Sequence, residues 1–233
     1  MTKASESPII ISLGGSLVVP NGGINTKFLT DFNEFIRKKI AEERRFFIVV
    51  GGGALARHYR DAGKKVVGKI TNTDLDWLGI HATRVNAHLL RTIFQDIAHP
   101  RIIENYNKII SKVEEPLVVA AGWKPGWSTD YCAVLLAKEY KCKMIVNMSN
   151  IKKVYTCDPN KNNEAEPIDK ISWDDFIKLV GDEWCPGSNS PFDPVASKLA
   201  KDMNLVVKVL DGRDMDNLER AVEGKNFVGT TIG

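Results

Sequence analysis

The chain has 233 residues, of which 43% are hydrophobic, 8% aromatic and 26% charged, close to the average for globular proteins. This composition excludes low-complexity, collagen-like and disordered chains, and the length favours one large domain, or two lobes on one sheet, over separate modules. The 32 basic and 29 acidic residues leave a net charge of only +3, so nucleic acid is not an expected partner.

The N-terminal half alternates short apolar runs with amphipathic stretches. Strands are predicted at residues 9–11, 46–50 and 117–121, since each is an apolar run that precedes glycine. A helix is predicted from the N-cap Asn25 to Ile40, where apolar residues recur at helical spacing. Further helices are predicted at residues 54–62, 74–96 and 131–137.

The C-terminal half continues this alternation. Its predicted elements are strands at residues 144–148 and 205–210 and helices at residues 173–180, 194–203 and 215–222. Residues 158–167 and 185–194 are rich in turn-forming residues, which indicates loops. Strands that alternate with helices predict a mainly parallel sheet covered on both faces. The expected fold class is therefore α/β, a three-layer α/β/α sandwich in a single domain over residues 1–233.

The cysteines predict neither a metal site nor a redox pair. Cys132, Cys142, Cys157 and Cys185 are too far apart for a Cys-x-x-Cys motif, and the histidines also lack metal-ligand spacing. The N-terminus does not resemble a signal peptide, and the longest apolar runs have the length of strands, not of membrane spans. These features predict a cytoplasmic protein with reduced thiols and without a membrane partner.

Glycine-rich turns directly follow three of the predicted strands. They are Gly14-Gly15-Ser16, Gly51-Gly52-Gly53, and Gly122 with the segment 125–130 that follows it. The carboxyl ends of parallel strands meet at one edge of a sheet, so the three turns should converge there. Backbone N–H groups of such turns, together with helix N-termini, bind phosphates. One such cluster could equally be a plain tight turn, but three at equivalent positions favour a phosphate site.

Two familiar nucleotide-binding motifs do not account for the three glycine turns. The Walker A pattern is absent. Gly51, Gly53 and Ala56 match the G-x-G-x-x-A pattern of dinucleotide-binding folds, with Asp74 and Asp76 near the expected position of a ribose-binding acid. That interpretation also requires a strand before the acid, which the polar stretch before it does not predict. An NAD-dependent oxidoreductase is therefore a distant alternative.

Ordered motifs occur along residues 9–231. They are ISLGGS at 11–16, VGGGALAR at 50–57, DWLGIHATRVNA at 76–87, PGWSTD at 125–130, VYTCDP at 154–159, DPVASK at 193–198 and GTT at 229–231. Together they resemble the motifs of the amino-acid-kinase superfamily and, within it, of the archaeal-type UMP kinases. The resemblance implies transfer of the γ-phosphoryl group of ATP to UMP, with Mg²⁺, in pyrimidine nucleotide biosynthesis. It also implies a homohexamer, with an acceptor-binding lobe at about residues 8–140 and an ATP-binding lobe at about 141–233.

The resemblance assigns site residues by motif. Those assigned to ATP are Gly15, Ser16, Gly53, Arg57, Ser149, Asn150, Tyr155 and Asp158. Those assigned to UMP are Gly52, Asp76, Trp123, Lys124, Pro125, Gly126, Trp127, Ser128 and Thr129. Lys198 and Asp130 are the expected catalytic residues, and no protein metal ligands are predicted. Several of these residues also have ordinary structural explanations, because Asp76 and Asp130 suit helix starts, Ser128 suits an N-cap and Lys198 suits an exposed helix face.

Two positions depart from the superfamily pattern. Ser12 stands where many members have a catalytic lysine, and Lys152-Lys153 stands where relatives usually have Asp-Gly. The lysine pair could attract phosphate or could be solvated surface charge. Two alternative functions therefore remain open. One is a superfamily kinase for another small phosphate or carboxylate; the other is a non-catalytic nucleotide-binding protein similar to the molybdenum storage proteins.

Overall fold

The computed structural model describes residues 7–108, 110–159, 161–181 and 190–233. Its strands are β1 (Ile9–Leu13), β2 (Phe46–Val50), β3 (Leu117–Ala120), β4 (Met144–Ser149), β5 (Val154–Tyr155), β6 (Pro167–Ile168), β7 (Lys170–Ile171), β8 (Val206–Asp211) and β9 (Thr230–Ile232). Its helices are α1 (Gly15–Val18), α2 (Thr26–Ala41), α3 (Gly53–Val67), α4 (Asn72–Ile93), α5 (Thr129–Glu139), α6 (Trp173–Val180), α7 (Pro194–Asp202) and α8 (Met215–Val222).

Within these residues, seven strands form one sheet in the order β3-β2-β1-β4-β8-β9-β7. The pairings are parallel except that between β8 and β9, and β5 and β6 form a separate antiparallel pair. From β1 the chain proceeds to β2 and β3 on one side and later to β4 and β8 on the other. The order of the strands therefore reverses between β1 and β4, which is where ligands bind in open α/β sheets.

Helices cover both faces of the sheet. Along β1, Ile9 and Ile11 pack with α2, α4 and α8, whereas Ile10 packs on the opposite face with α5, α6 and α7. This alternation follows from the two-residue period of a strand, and every residue of β1 and β2 is buried. The predicted mainly parallel sheet and three-layer α/β/α sandwich are confirmed.

Side-chain caps fix the starts of several helices. Asn25 Oδ1 accepts from the Phe28 N–H at 3.1 Å, as predicted for α2, and Ser128 Oγ accepts from the Tyr131 N–H at 3.1 Å at the start of α5. Asp193 Oδ1 accepts from the Ala196 N–H at 2.6 Å at the start of α7. Because the last two caps lie beside the carboxyl edge of the sheet, they also position the residues of the candidate site.

The long predicted elements are found with small shifts at their ends. The prediction of a helix at 54–62 was too short, because α3 continues to Val67 through a solvent-facing turn in which Val66 and Val67 are exposed and no apolar period appears. The elements α1, β5, β6, β7 and β9 were not predicted, since each has four residues or fewer and shows no periodicity. The predicted loop 158–167 connects β5 to β6. Residues 185–189 of the second predicted loop, Cys185 included, lie outside the described residues.

Candidate active site

Two adjoining cavities lie at the carboxyl edge of the sheet. The smaller, of about 290 Å³, is beside the ends of β2 and β3, and the larger, of about 800 Å³, is beyond β1 and β4. The described residues that line the smaller cavity include Gly52, Gly53, Arg57, Arg60, Asp76, Thr83, Gly122, Trp127, Ser128, Thr129, Asp130 and Asp193. Those that line the larger include Ser12, Gly15, Ser16, Thr129, Asp130, Asn147, Ser149, Asn150, Lys153, Tyr155 and Asp158.

The glycine turns converge, as predicted, because the chain segments touch at the backbone. A Cβ on Gly15 would lie 2.2 Å from the backbone nitrogen of Gly53, so no side chain fits at this contact. Gly53 itself has a φ of +61°, which glycine adopts without strain. The third turn lies at the same cavity, because Gly122 lines the smaller cavity with Gly52 and Gly53, and the Gly122 N–H donates to Thr83 Oγ1 of α4 at 2.8 Å. The two cavities are therefore held in fixed relation by main-chain packing.

Asp76 lies at the wall of the smaller cavity and is only 5% exposed. Its Oδ2 accepts from the Gly126 N–H at 2.8 Å, which ties the loop after β3 to α4. Burial raises the pKa of Asp76 above its ordinary value, while the Gly126 hydrogen bond and the nearby Arg60 oppose the shift. The carboxylate therefore stabilises the loop, and it keeps a second oxygen for a ligand.

Arg60 was not predicted as a site residue. Its Nε donates to the carbonyl of Leu75 at 2.9 Å, and its guanidinium lies where a side chain on Gly79 would be, with Nη2 only 2.1 Å from that Cβ position. Burial lowers the pKa of Arg60, and the charge of Asp76 opposes that shift. Arg60 follows Arg57 by three residues, so helical spacing alone could have placed both on one face of α3.

The loop at residues 123–127 reaches the smaller cavity only at its end. Trp127, Ser128 and Thr129 line the cavity, whereas the preceding residues assigned to UMP, Trp123, Lys124, Pro125 and Gly126, are not among its lining residues. The indole of Trp123 packs edge-on against Trp127, with centroids 4.8 Å apart. The Lys124 ammonium lies 4.2 Å from the Trp127 ring centroid. These residues shape the loop behind the cavity wall.

Six of the eight residues assigned to ATP line the larger cavity. They are Gly15, Ser16, Ser149, Asn150, Tyr155 and Asp158. The other two, Gly53 and Arg57, line the smaller cavity instead. Arg57 nevertheless connects the two sites, because its Nη1 donates to Ser16 Oγ at 3.1 Å. A guanidinium in this position lies near the junction between the two cavities.

Asp130 belongs to the walls of both cavities. Its Oδ1 accepts from the Ser12 hydroxyl at 2.7 Å and from Asn147 Nδ2 at 3.4 Å, and its Oδ2 accepts from the Asp193 N–H at 3.2 Å. Burial raises the pKa of Asp130 to about 6, and the carboxylate of Asp193 adds to the shift while Ser12 opposes it. The roles of Asn147 and Asp193 were not predicted, because the contacts join distant parts of the chain.

Lys198 lies on α7, one turn after the buried cap Asp193, and it is exposed. It is not among the lining residues of either cavity. Its assignment as a catalytic residue stays a prediction.

The carboxylate of Asp130 fits the way Mg²⁺ is usually held in kinases, by one or two carboxylates together with substrate phosphates. In the described part of the chain there is no group of three or more histidine, cysteine or acidic side chains that could hold a metal ion alone. A metal at this site would therefore depend on nucleotide phosphates for its remaining ligands.

The model of the amino acid kinase family matches residues 7–211. The chain belongs to this family. Members of this kinase family use ATP with a divalent metal ion. The resemblance of the motifs and the predicted fold are both confirmed by this match.

Similar proteins extend the match over nearly the whole chain. A uridylate kinase from Methanocorpusculum labreanum is 34% identical over 227 residues, which cover 97% of this chain and 95% of that protein. One from Methanothrix thermoacetophila is 35% identical over 230 residues, which cover 96% and 98%. The crystal structure of uridylate kinase from Archaeoglobus fulgidus superposes with a TM-score of 0.80 at 30% identity and covers 97% of this chain and all of that one.

Within the described ranges, every helix falls short of the length and apolar character that a membrane-spanning segment needs.

Proposed function

We propose that this member of the amino acid kinase family is a UMP kinase, which transfers the γ-phosphoryl group of ATP to UMP and gives UDP and ADP. One observation carries the proposal: two cavities formed by interlocked glycine turns meet at Asp130. Two anionic substrates that exchange a phosphoryl group need adjoining sites of this kind. The relatives called uridylate kinase support UMP as the acceptor.

The smaller cavity suits the acceptor nucleotide. Arg60 would neutralise the UMP phosphate, and the free oxygen of Asp76 would accept from a sugar hydroxyl. Trp127 offers an aromatic surface for the base. Arg57 lines this cavity and contacts Ser16 of the other, so it would face the phosphoryl group during transfer.

The larger cavity suits ATP. Backbone N–H groups at Gly15 and Ser16 start helix α1 and would face the phosphates, while Tyr155 and Asp158 would face the adenosine. The division into an acceptor lobe at about 8–140 and an ATP lobe at about 141–233 is part of this proposal. It is supported by the cavity linings, because the smaller cavity is lined by residues 52–130 except for Ser190 and Asp193, and most described lining residues of the larger cavity lie at 147–194. Ser12, Gly14–Leu17, Gly51, Thr129 and Asp130 also line the larger cavity.

Catalysis in this site would rest on positioning and charge neutralisation rather than on a covalent nucleophile. Ionised Asp130 would orient the reacting groups from its place in both walls, and Lys198 would stabilise charge on the transferring phosphoryl group if α7 moves towards it. Mg²⁺, when bound with ATP, would neutralise phosphate charge, with Asp130 as its protein contact.

Steady-state kinetics with a panel of acceptors tests this proposal. ADP formation is followed with MgATP and UMP, CMP, AMP, isopentenyl phosphate or acetylglutamate, and UDP is identified directly by anion-exchange chromatography. Fast turnover with UMP is the expected result. Preference for another acceptor would favour a related superfamily kinase. ATP binding without turnover of any acceptor would favour a non-catalytic nucleotide-binding protein.

We also propose a homohexamer in the cytoplasm. Large apolar side chains are exposed on α3 and α4, with Tyr59 at 59%, Val66 at 85% and Val85 at 59% exposure. The helices α3 and α4 pack against each other, and large apolar residues exposed on neighbouring helices are typical of association surfaces. The cytoplasmic location is supported by the three described cysteines, all of which are free thiols.

A further inference from the structure

The larger cavity carries little positive charge for a site that would bind a nucleoside triphosphate. Among its described lining residues, the charged side chains are those of Asp130, Lys153 and Asp158. The undescribed segment at residues 182–189, which follows the lining residue Val180 in the chain, contains neither lysine nor arginine. Phosphate groups are usually bound by at least one cationic side chain. Lys153 is therefore the basic side chain best placed for this role among the described lining residues.

The backbone holds Lys153 towards the cavity. Lys153 and Tyr155 both line it, as expected for residues on either side of Val154 in the short strand β5, since alternate side chains of a strand point to the same side. The intervening Val154 is fully buried, and its N–H donates to Thr230 Oγ1 at 2.8 Å. Since β9 anchors this segment, the side chain of Lys153 starts from a fixed point at the cavity wall.

The ammonium group of Lys153 is in contact with the carboxylate of Asp169, which lies between β6 and β7. The side chain of Asp169 is 78% exposed, whereas that of Lys153 is only 24% exposed. Ion pairs with such an exposed partner contribute little net stability, so they exchange readily. A nucleotide polyphosphate offers several charged oxygens to the same ammonium group and would compete well with one solvated carboxylate.

We propose that Lys153 is the phosphate-binding cation within the larger cavity, exchanging its contact with Asp169 for the polyphosphate of the bound nucleoside triphosphate, while Arg57 acts from the junction with the smaller cavity. This inference rests on the proposed function only in so far as the larger cavity takes ATP. Lys153 supplies the one positive charge among the described lining residues of this cavity.

Calorimetric titration of the full chain with adenosine, AMP and MgATP, each without acceptor, tests the assignment. Lys153→Met is expected to weaken MgATP binding about tenfold, the effect of losing one hydrogen bond to a charged group. The affinity for AMP is expected to fall by less than that for MgATP, and the affinity for adenosine is expected to stay within about twofold of the wild type. Lys152→Met is the matched control, because this neighbouring lysine is exposed and lines neither cavity.

If Lys153→Met weakened the binding of adenosine and of MgATP by the same factor, the proposal would be overturned, since the result would indicate a contact with the nucleoside or a damaged site. MgATP affinity unchanged by Lys153→Met would overturn it as well. Asp169→Asn adds a second arm: it leaves Lys153 in place, so MgATP binding is expected to be unchanged or tighter. Weakening as large as that of Lys153→Met would instead mean that the ion pair merely supports the β5–β6 hairpin.

The two proposals fail in different ways. Binding is measured without UMP, so a protein that binds MgATP through Lys153 and forms no UDP would refute the proposed function alone. A protein that forms UDP with full efficiency after Lys153→Met would refute this inference alone.

Discussion

The hydroxyl of Ser12 donates a 2.7 Å hydrogen bond to Oδ1 of Asp130, across 118 positions of the chain. The bond joins the central strand β1 to the first turn of α5. A hydrogen bond to a carboxylate favours its ionised form, so Ser12 holds the pKa of Asp130 lower than burial alone would leave it. The hydroxyl at the end of β1 therefore tunes the acid at the start of α5.

Removal of that hydroxyl should change the pH dependence of turnover. In the wild type, kcat/KM for UMP is expected to rise with pH through about 6, as Asp130 ionises. In Ser12→Ala, the rise of kcat/KM should occur at a pH about one unit higher, since one hydrogen bond to a charged group is lost. Initial rates across the pH range measure the shift. Ser12→Thr keeps the hydroxyl and should leave the pH of this rise unchanged; equal movement in both variants would contradict the explanation.

Gly79→Ala should weaken UMP binding through Arg60. A methyl group at this position would meet Nη2 of Arg60 at 2.1 Å, so the guanidinium must leave the wall of the smaller cavity. The KM for UMP should rise about tenfold while the KM for ATP stays unchanged. Steady-state kinetics with each substrate varied separately distinguishes the two constants.

The effect of Gly79→Ala should disappear when Arg60 is already absent. A double-mutant cycle with Arg60→Ala is therefore expected to be strongly non-additive. Gly22→Ala serves as the control, because a Cβ on Gly22 would meet no heavy atom within 4 Å. Additive losses in the cycle would show that Gly79 acts by another route.

Lys39→Met should destabilise the fold. The ammonium of Lys39, 1% exposed, donates to Glu42, Glu219 and Glu223 at 2.8, 2.7 and 2.5 Å and so joins α2 to α8. Burial lowers the pKa of Lys39, but the three carboxylates together raise it above its ordinary value. The loss should be about 2 kcal/mol of unfolding free energy at neutral pH, because the carboxylates left behind keep contact with water. Urea denaturation measures it.

The cost of Lys39→Met should depend on pH. Hydrogen bonds from Lys225 and Lys39 lower the pKa of Glu223 to about 2, and those from Lys39 and Lys38 lower the pKa of Glu219. The stabilisation of the folded state by ionised Glu219 and Glu223 is complete above the pKa of a glutamate in the unfolded chain, near 4.5, and is lost as the pH falls towards 2. The variant and the wild type should therefore converge in acid. Lys38→Met, which removes an exposed lysine from the same cluster, should cost less than about 0.5 kcal/mol at neutral pH.

Val66→Glu should reduce the molecular mass in solution if α3 contributes to a subunit interface. Val66 is 85% exposed, so a glutamate there costs the monomer little but would be desolvated in an assembly. Light scattering coupled to size-exclusion chromatography measures the mass. Val228→Glu, at a valine 52% exposed in another part of the fold, should leave the mass unchanged. A monomeric wild type would refute the proposed hexamer.

The layers of the fold could be predicted because they depend on local patterns. Strands such as Phe46–Val50 are apolar at every position, and the cap Asn25 precedes a helical period. The strand β9 is only three residues long, and its place beside β8 depends on a pairing between distant segments. No local period exists that could reveal such a strand.

The candidate site was predictable in composition but not in arrangement. Motifs identified the glycine turns, Asp76 and Asp130, yet Gly53 and Arg57, assigned to ATP, line the smaller cavity. Which side of a turn a residue faces depends on how two turns pack together, and the sequence does not encode that contact locally. Arg60 was missed for a related reason, since its place is created by a glycine on a different helix.

The shared position of Asp130 makes each cavity sensitive to the charge in the other. Phosphate entering from either side faces the same carboxylate and raises its affinity for a proton, unless a cation arrives with the nucleotide. Binding of UMP, or of ATP without its metal ion, would then draw a proton from solution near pH 6, and protonation would in turn strengthen that binding by the same factor. In the proposed site, the carboxylate shared by the two cavity walls would thus couple nucleotide binding to pH in both directions.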